Sequence, residues 1–331
     1  MTSADVARVA GVSRTTVSFV LNDTKNQSIA PATRRAVFDA AEELGYTPSP
    51  EARALRSGRS GIVLGILPDW PIGGAFGMFL SNLTHELSSK GMTFLTHQIQ
   101  DADADLASVW GALTPDIVLA MGDLTSSDVS ALRARGVGIV RWLGSVEGYP
   151  DSAVISQHEV GVTQARILLD QGHKRLAYVQ PAESYYQWFS DRRLAGVAAE
   201  CAAARVPRPR VMVGDFKADS LEESLSALLH GPSAVTGICA YNDEVALLLL
   251  TTMRRLNLVA PTDVSVVGVD NSELGAAWEP ALSTVEFALT DEAEHVANQI
   301  RRVASGRPLG RSKKTDAIIA IVRDSTGAPR N

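Results

Sequence analysis

Residues 5–23 read DVARVAGVSRTTVSFVLND. Just ahead, Thr2-Ser-Ala-Asp5 has the spacing of a capping box, which starts a helix. Val6, Ala7 and Ala10 then recur on one face. Gly11 supplies the positive φ of a tight turn, and Ser13 is a good N-cap for a second helix. In that helix Val17, Val20 and Leu21 stand at i, i+3 and i+4 as the inward stripe. Arg14, Thr15, Ser18 and Phe19 take the opposite face, and Asn22 can close the helix. Two short helices joined by a glycine turn make a helix-turn-helix. Such a unit places the first turn of its second helix in the DNA major groove.

The plainer alternative is a helical hairpin with a solvated polar face. Phe19 argues against it, because a large aromatic off the core stripe is a cost unless it meets something. Apolar side chains contact the thymine methyl group. Arg14 suits guanine or phosphate. Ser13, Thr15 and Thr16 sit where backbone amides and the helix dipole favour phosphate.

The charge agrees. The 331-residue chain carries a net charge of −6, unevenly spread. Residues 1–60 hold eight Lys/Arg against six Asp/Glu, and the other 271 hold 23 against 31. A slightly basic head on an acidic body is expected when only the head meets phosphate. The length calls for more than one domain. No apolar run reaches the roughly 18 residues of a membrane span, and the first residues lack a signal peptide's pattern, so a cytoplasmic protein is expected. Cys201 and Cys239 lack CxxC spacing and read as buried structural thiols.

A third helix begins at Pro31, with Val37, Phe38, Ala41 and Leu44 as its inner stripe and Gly45 as its stop. Then comes YTPSPEARALRSGRS, residues 46–60. Pro48 and Pro50 break order, and Gly58 and Ser60 read as linker. EARALR makes under two helical turns and needs something to fold on, with Leu55 exposed between Arg53 and Arg56.

Residues 5–23, the helix at 31–46 and the segment Ala52-Arg53-Ala54-Leu55 resemble, in order and spacing, the headpiece of the LacI/GalR (lactose-repressor) family of bacterial transcription regulators. The resemblance implies a hinge that becomes helical on DNA, where Leu55 wedges into the minor groove and kinks the operator, flanked by Arg53 and Arg56. Two departures stand out. Phe19 occupies a position where the family commonly has a polar or basic base-reader. The loop Asp23–Ala30 is longer than in the type member, and Ala30 replaces the usual hydroxyl cap.

From residue 61 apolar runs alternate with amphipathic stretches. IVLGILP, MTFLTHQ, DIVLAMG, GVGIVRWLG, RLAYVQP, RVMVGDF, GICAYN and VSVVGVD are strand candidates. Most are continuous rather than alternating, the mark of parallel strands buried on both faces. Stretches at 83–90, 126–135, 160–171, 193–204 and 244–256 complete βαβ units. The expected body is α/β, two doubly wound parallel-sheet lobes; the resemblance makes it periplasmic-binding-protein-like. The expected domains are a headpiece at 1–47, a hinge and linker at 48–60 and a body at 61–331. Within the body, lobe one takes about 61–159 and 290–317, and lobe two about 160–289 and 318–331. PALSTVEF, residues 280–287, reads as the segment leading back to lobe one.

Such sheets bind ligands beyond the carboxyl ends of their strands, and a cleft between lobes is a natural small-molecule site. Asn242 and Asp270 follow strands, Arg193 lies early in a helix behind the aromatic loop SYYQWFSDRR, and Phe216 ends RVMVGDF. Any one of these polar residues also reads as a strand-end cap or tether. Together, Arg, Asn and Asp offer donors and acceptors to a hydroxyl-rich ligand, with aromatics for stacking. The set Arg193, Phe216, Asn242 and Asp270 also resembles the family's effector-contacting positions. Trp70, Phe76, Trp188, Trp278 and Asp69 are further candidates.

Gly136-Val-Gly138 lacks the last glycine of a dinucleotide fingerprint, and the sequence holds no P-loop or nucleophile elbow. The histidines lack metal-ligand spacing, and His173 reads as a capping or packing residue. No cofactor, catalytic residue or metal is expected. The expected protein is a DNA-binding repressor whose operator affinity is set by a small molecule, with a saccharide favoured. Its expected partners are a near-palindromic double-stranded operator, the effector and a second copy of itself. The alternatives are a solute-binding protein or sensor without specific DNA recognition, and a sugar-processing enzyme, which the missing catalytic constellation disfavours.

Overall fold

The computed structural model describes residues 1–21, 28–46, 58–69, 71–99, 106–142, 156–214, 218–231, 233–310 and 318–330. The chain divides into two compact units: Met1–Gly61 with Thr114–Asp116, and Ile62–Leu113 with Ile117–Asn331.

The first unit is built on helices α1 (Ser3–Val9), α2 (Arg14–Leu21) and α3 (Pro31–Glu43). The Asp5 carboxylate accepts from the Thr2 amide at 2.9 Å and the Thr2 hydroxyl at 3.0 Å, so the acidic half of the capping box forms. Gly11 has φ +66°, as the tight turn requires. Val6, Ala7, Val17, Val20, Val37, Ala40 and Ala41 make a small closed core. Phe38, expected inside, is 51% exposed, and Ala40 takes the inward place. The stripe 37, 40, 41, 44 follows the i, i+3, i+4, i+7 rule, and Phe38 lies one step, about 100°, around the helix from Val37.

The second unit begins with β1 (Ile62–Leu67), α4 (Gly74–Ser89), β2 (Thr93–Gln98), α5 (Leu106–Leu113), β3 (Ile117–Ala120), α6 (Ser126–Ala134) and β4 (Gly138–Arg141). Its strands pair in parallel in the order β2-β1-β3-β4. Next come α7 (Gln157–Leu169), β5 (Leu176–Pro181), α8 (Gln187–Ala203), β6 (Arg210–Gly214), α9 (Ala218–Leu229), β7 (Gly237–Ala240), α10 (Asp243–Arg255), β8 (Ser265–Val267) and α11 (Glu273–Ala277). Their strands form a second parallel sheet, β6-β5-β7-β8. The central strands β1, β3, β5 and β7 are buried along almost all their length, as their continuous apolar sequences require. The edge strands β2 and β6 are only partly covered.

The last elements are β9 (Thr284–Phe287), α12 (Leu289–Ala304) and β10 (Ile318–Ile321). PALSTVEF is therefore more than a connector: its second half is a strand, paired antiparallel with β10. Helix α12 returns to the first sheet, where Ala293, Val296, Ala297 and Ile300 pack with Val63, Leu119 and Val140. Helices α7 and α8 extend upstream of the predicted 160–171 and 193–204, through segments with weaker apolar periodicity. The predicted stretches do not include α5, α9, α11 or α12.

The glycines at the α7/α8 crossing explain a close approach. A Cβ on Gly161 would lie 1.9 Å from the Arg193 carbonyl oxygen, and one on Gly196 would lie 1.9 Å from that of His158. His173 packs as expected: Nδ1 pairs with Thr236 Oγ1 and Nε2 with the Gly327 carbonyl, both at 2.8 Å. Both cysteines are buried and free. No described helix is long and apolar enough to cross a membrane.

Candidate effector cavity and DNA-facing helix

On α2, Arg14 and Thr15 are exposed, while Thr16, Ser18 and Phe19 are half-buried. Ser13 Oγ caps the helix by accepting from the Thr16 amide at 3.0 Å and pairs with Thr16 Oγ1 at 2.9 Å. Ser13 and Thr16 thus hold each other and the helix start. Arg14 and Thr15 stand outside that pair. Asn22, Arg53, Leu55 and Arg56 lie outside the described residues.

The second unit contains a cavity of about 160 Å³. On the first-sheet side it is walled by Pro71 and Gly73 just before α4, by Gly74, Ala75, Phe76 and Phe79 in its first turns, and by Trp142, which follows β4. On the second-sheet side stand Gln157, Tyr186, Phe189, Arg193, Tyr241, Asn242, Glu244 and Asp270, with Phe287 and Leu289 from the crossing between β9 and α12. The carboxyl ends of two parallel sheets thus meet around one space, the usual ligand position in open α/β folds.

Arg193 is only 5% exposed. Its Nε donates to Gln157 Oε1 at 2.8 Å, its Nη1 donates to the Tyr241 carbonyl, and its guanidinium lies 4.6 Å from the Tyr241 ring centroid. These contacts fix the fork in place before any ligand arrives. Asn242 is the N-cap of α10, its Oδ1 accepting from the Val245 amide at 3.0 Å. The cap and ligand readings of Asn242 are thus compatible.

Asp270 has φ +109° and Asn271 has φ +51°, backbone conformations that L residues rarely adopt. The turn is held open by its neighbours. Asp270 N donates to Val285 O at 2.8 Å, and Arg323 Nη2 donates to Asn271 Oδ1 at 2.6 Å. Below it, the buried Asp243 carboxylate accepts from Ser272 N at 2.7 Å and Thr284 Oγ1 at 2.6 Å. Desolvation pushes the Asp270 carboxyl up to about 7; Arg193 opposes the shift, and Asp243 and Glu244 add to it.

Three sequence candidates do not line the cavity. Asp69 is exposed after the end of β1. Trp188, 38% exposed, carries Arg192 over its ring at 3.7 Å. Trp278 packs against the core of the second sheet. Phe76 does line the cavity, stacked toward Trp142 at 5.9 Å. Trp70 and Phe216 lie outside the described residues. Sequence reading missed Trp142, Phe79, Tyr241, Gln157 and Phe287. Tyr241, adjoining Asn242 at a strand end, carried a legible signal. Trp142 and Phe79 read as core in a one-dimensional pattern.

Residues 2–49 match the model of the bacterial regulatory proteins, lacI family, and residues 165–326 that of the periplasmic binding protein-like domain. The chain belongs to the lacI family. A curated relative is the HTH-type transcriptional repressor PurR of Vibrio parahaemolyticus, 29% identical over 86% of both chains. Another is catabolite control protein A of Priestia megaterium, 28% identical over 88% of this chain and 89% of that one. Among solved structures, the lac repressor dimer bound to operator and an anti-inducer superposes with TM-score 0.78 at 20% identity, covering 99% of each chain. The transcriptional regulator CelR–cellobiose complex gives TM-score 0.66 at 25% identity, covering 98% of this chain and 99% of that one. This lacI-family chain is an effector-controlled DNA-binding repressor and not an enzyme.

Proposed function

We propose that the effector is an uncharged saccharide, bound in the cavity by a chain that works in the cytoplasm as a homodimer on a near-palindromic operator. The observation that carries this reading is the cavity's chemistry. Aromatic faces from Phe76, Trp142, Tyr186 and Phe287 stand beside Arg193, Asn242, Glu244 and Asp270. Sugar rings present apolar C–H faces and a belt of hydroxyls, which this combination matches. Among the described lining residues one cation stands against two carboxylates, and that cation is already hydrogen-bonded. A phosphorylated or carboxylated effector would meet uncompensated negative charge. The cellobiose in the CelR complex supports the same class.

In this reading Arg193, Asn242, Asp270 and Phe76 contact the effector, with Phe216 and Trp70 beside them. Arg14, Thr15 and Phe19 meet the major groove, Ser13 and Thr16 pre-form the helix end for phosphate, and Arg53, Leu55 and Arg56 act in the minor groove. Effector control requires different effector affinities in the two DNA-binding states, a coupling on the order of 1–3 kcal/mol.

The test is selection from a random double-stranded DNA pool at physiological salt, followed by titration of the selected site with a saccharide panel that includes cellobiose. The expected product is a near-palindrome with a flexible pyrimidine–purine step at its centre. Its affinity should fall with salt at a log–log slope of about −0.9 per phosphate neutralised, and a neutral saccharide should change it. Enrichment without any saccharide response would remove the effector class. No enrichment would remove the operator reading.

Asp270 gives an independent check. Its folded-state pKa of about 7 lies above its unfolded value near 3.8. The unfolded state therefore sheds this proton first, and the carboxyl's contribution to stability declines as pH rises from about 4 to about 7, then levels. Asp270→Asn should abolish that component: the difference in melting temperature between variant and parent grows across this window and is constant above it. A difference independent of pH would show an ordinary, solvated carboxylate at 270.

A further inference from the structure

Trp142 has a partner that the effector reading leaves unexplained. Its indole stacks on Phe79 with centroids 4.0 Å apart and planes 4° apart. Its Nε1 donates to Glu292 Oε1 at 3.0 Å. Glu292 is 1% exposed and lies in the first turn of α12, three residues after Leu289, which lines the cavity. Of the other inward positions of α12, Ala293, Val296, Ala297 and Ile300 are apolar, and the one polar residue, Gln299, is hydrogen-bonded by the Gly310 amide at 2.7 Å.

A buried acid is costly unless it is paired. Among the described residues, the Glu292 carboxylate forms no ion pair, and its one hydrogen bond is the indole's. Burial pushes its carboxyl up to about 7, and the bond from Trp142 offsets part of that shift. Packing alone calls for an apolar side chain at this position. The indole supplies the other half of the explanation: without an acceptor, its N–H would be left unsatisfied or the ring would turn to find one. Either outcome changes the aromatic wall that a ligand meets.

We propose that Glu292 is a positioning residue for the effector: it holds the Trp142 indole flat on Phe79 as a wall of the cavity and ties that wall to the first turn of α12. This rests on the reading of the cavity as the effector site. Glu292 itself need not touch the ligand. Its carboxylate sets where the ring lies, and the ring sets what the cavity accepts.

The experiment uses the full chain with Glu292→Leu, Glu292→Gln and Trp142→Phe. The indole N–H mode of Trp142 is read by ultraviolet resonance Raman as the difference between each protein and its Trp142→Phe counterpart. Cellobiose affinity is measured by calorimetry, and access to Trp142 by acrylamide quenching. Glu292→Leu should move the N–H mode toward its unbonded position, raise quenching and weaken cellobiose about tenfold or more. Glu292→Gln, which keeps an acceptor oxygen, should recover most of all three. An N–H mode unmoved in Glu292→Leu overturns the proposal, as does a moved mode with unchanged affinity and quenching. If the parent takes no cellobiose, the affinity is read with whichever saccharide of the panel binds; if none binds, the saccharide reading alone fails, and the N–H mode and quenching still decide. If Glu292→Leu does not fold, a partial shift of the mode in Glu292→Gln is required, and no shift overturns the proposal.

Discussion

Gly196→Ala should destabilise the second unit by on the order of 3 kcal/mol, an overpacking cost at the high end of the usual range. The added Cβ would lie 1.9 Å from the His158 carbonyl oxygen, and other atoms of α7 stand within 2.9 Å. Those atoms are backbone, so no rotamer change relieves the overlap and the two helices must separate. Gly161→Ala should cost a similar amount, since it strikes the Arg193 backbone from the other side. For a unit of this size the loss corresponds to roughly 6–12 °C in melting temperature. Gly111→Ala is the control: in the exposed face of α5 the nearest atom is 3.8 Å away, and the change should stabilise by about 0.5–1 kcal/mol. Thermal and urea unfolding of the three variants check the ordering. A Gly196→Ala protein as stable as its parent would mean that the helices do not cross this closely. The crossing also carries Arg193, so effector affinity should fall with it.

Arg193→Met should abolish effector binding while leaving operator binding in place, with affinity falling a hundredfold or more in calorimetry. Removing one partner of a buried, hydrogen-bonded charge costs about 2–5 kcal/mol, because the other groups are left unsatisfied. Here those groups are Gln157 Oε1 and the Tyr241 carbonyl. The loss would also remove the cation that acts on Asp270, pushing its carboxyl further up. Methionine keeps much of the length and packing, so the fold should survive, but the unsatisfied groups belong to the protein itself and the melting temperature should drop by roughly 4–20 °C. An Arg193→Met protein that still binds the effector with parental affinity would place the ligand elsewhere.

Local chemistry decided what was legible beforehand. The helix-turn-helix was readable because a capping residue, a glycine turn and a three-residue apolar stripe are all short-range signals. The body was readable because strands buried on both faces must be continuously apolar. Arg193, Asn242 and Asp270 were readable because they are polar residues at the ends of such strands or in the helix beside them. Phe38 was misplaced because adjacent apolar residues on a helix look alike in sequence, and only the facing helices choose which one turns inward. The strand at 284–287 reads as a connector in sequence because its partner, Ile318–Ile321, lies some thirty residues away.

The sequence by itself determined a helix-turn-helix head, a doubly wound α/β body and three polar residues of the cavity wall. Those follow from periodicity, capping and the burial of strands, which act over a few residues. The tertiary structure alone decided that Trp142 stacks on Phe79 and bonds Glu292 across 150 residues, that Tyr241 and Phe287 complete the cavity, and that Gly161 and Gly196 face each other's helices. Side chains that far apart in the chain meet only when two sheets and their crossing segments have packed, and no local preference encodes which aromatic will face the cavity and which will fill the core.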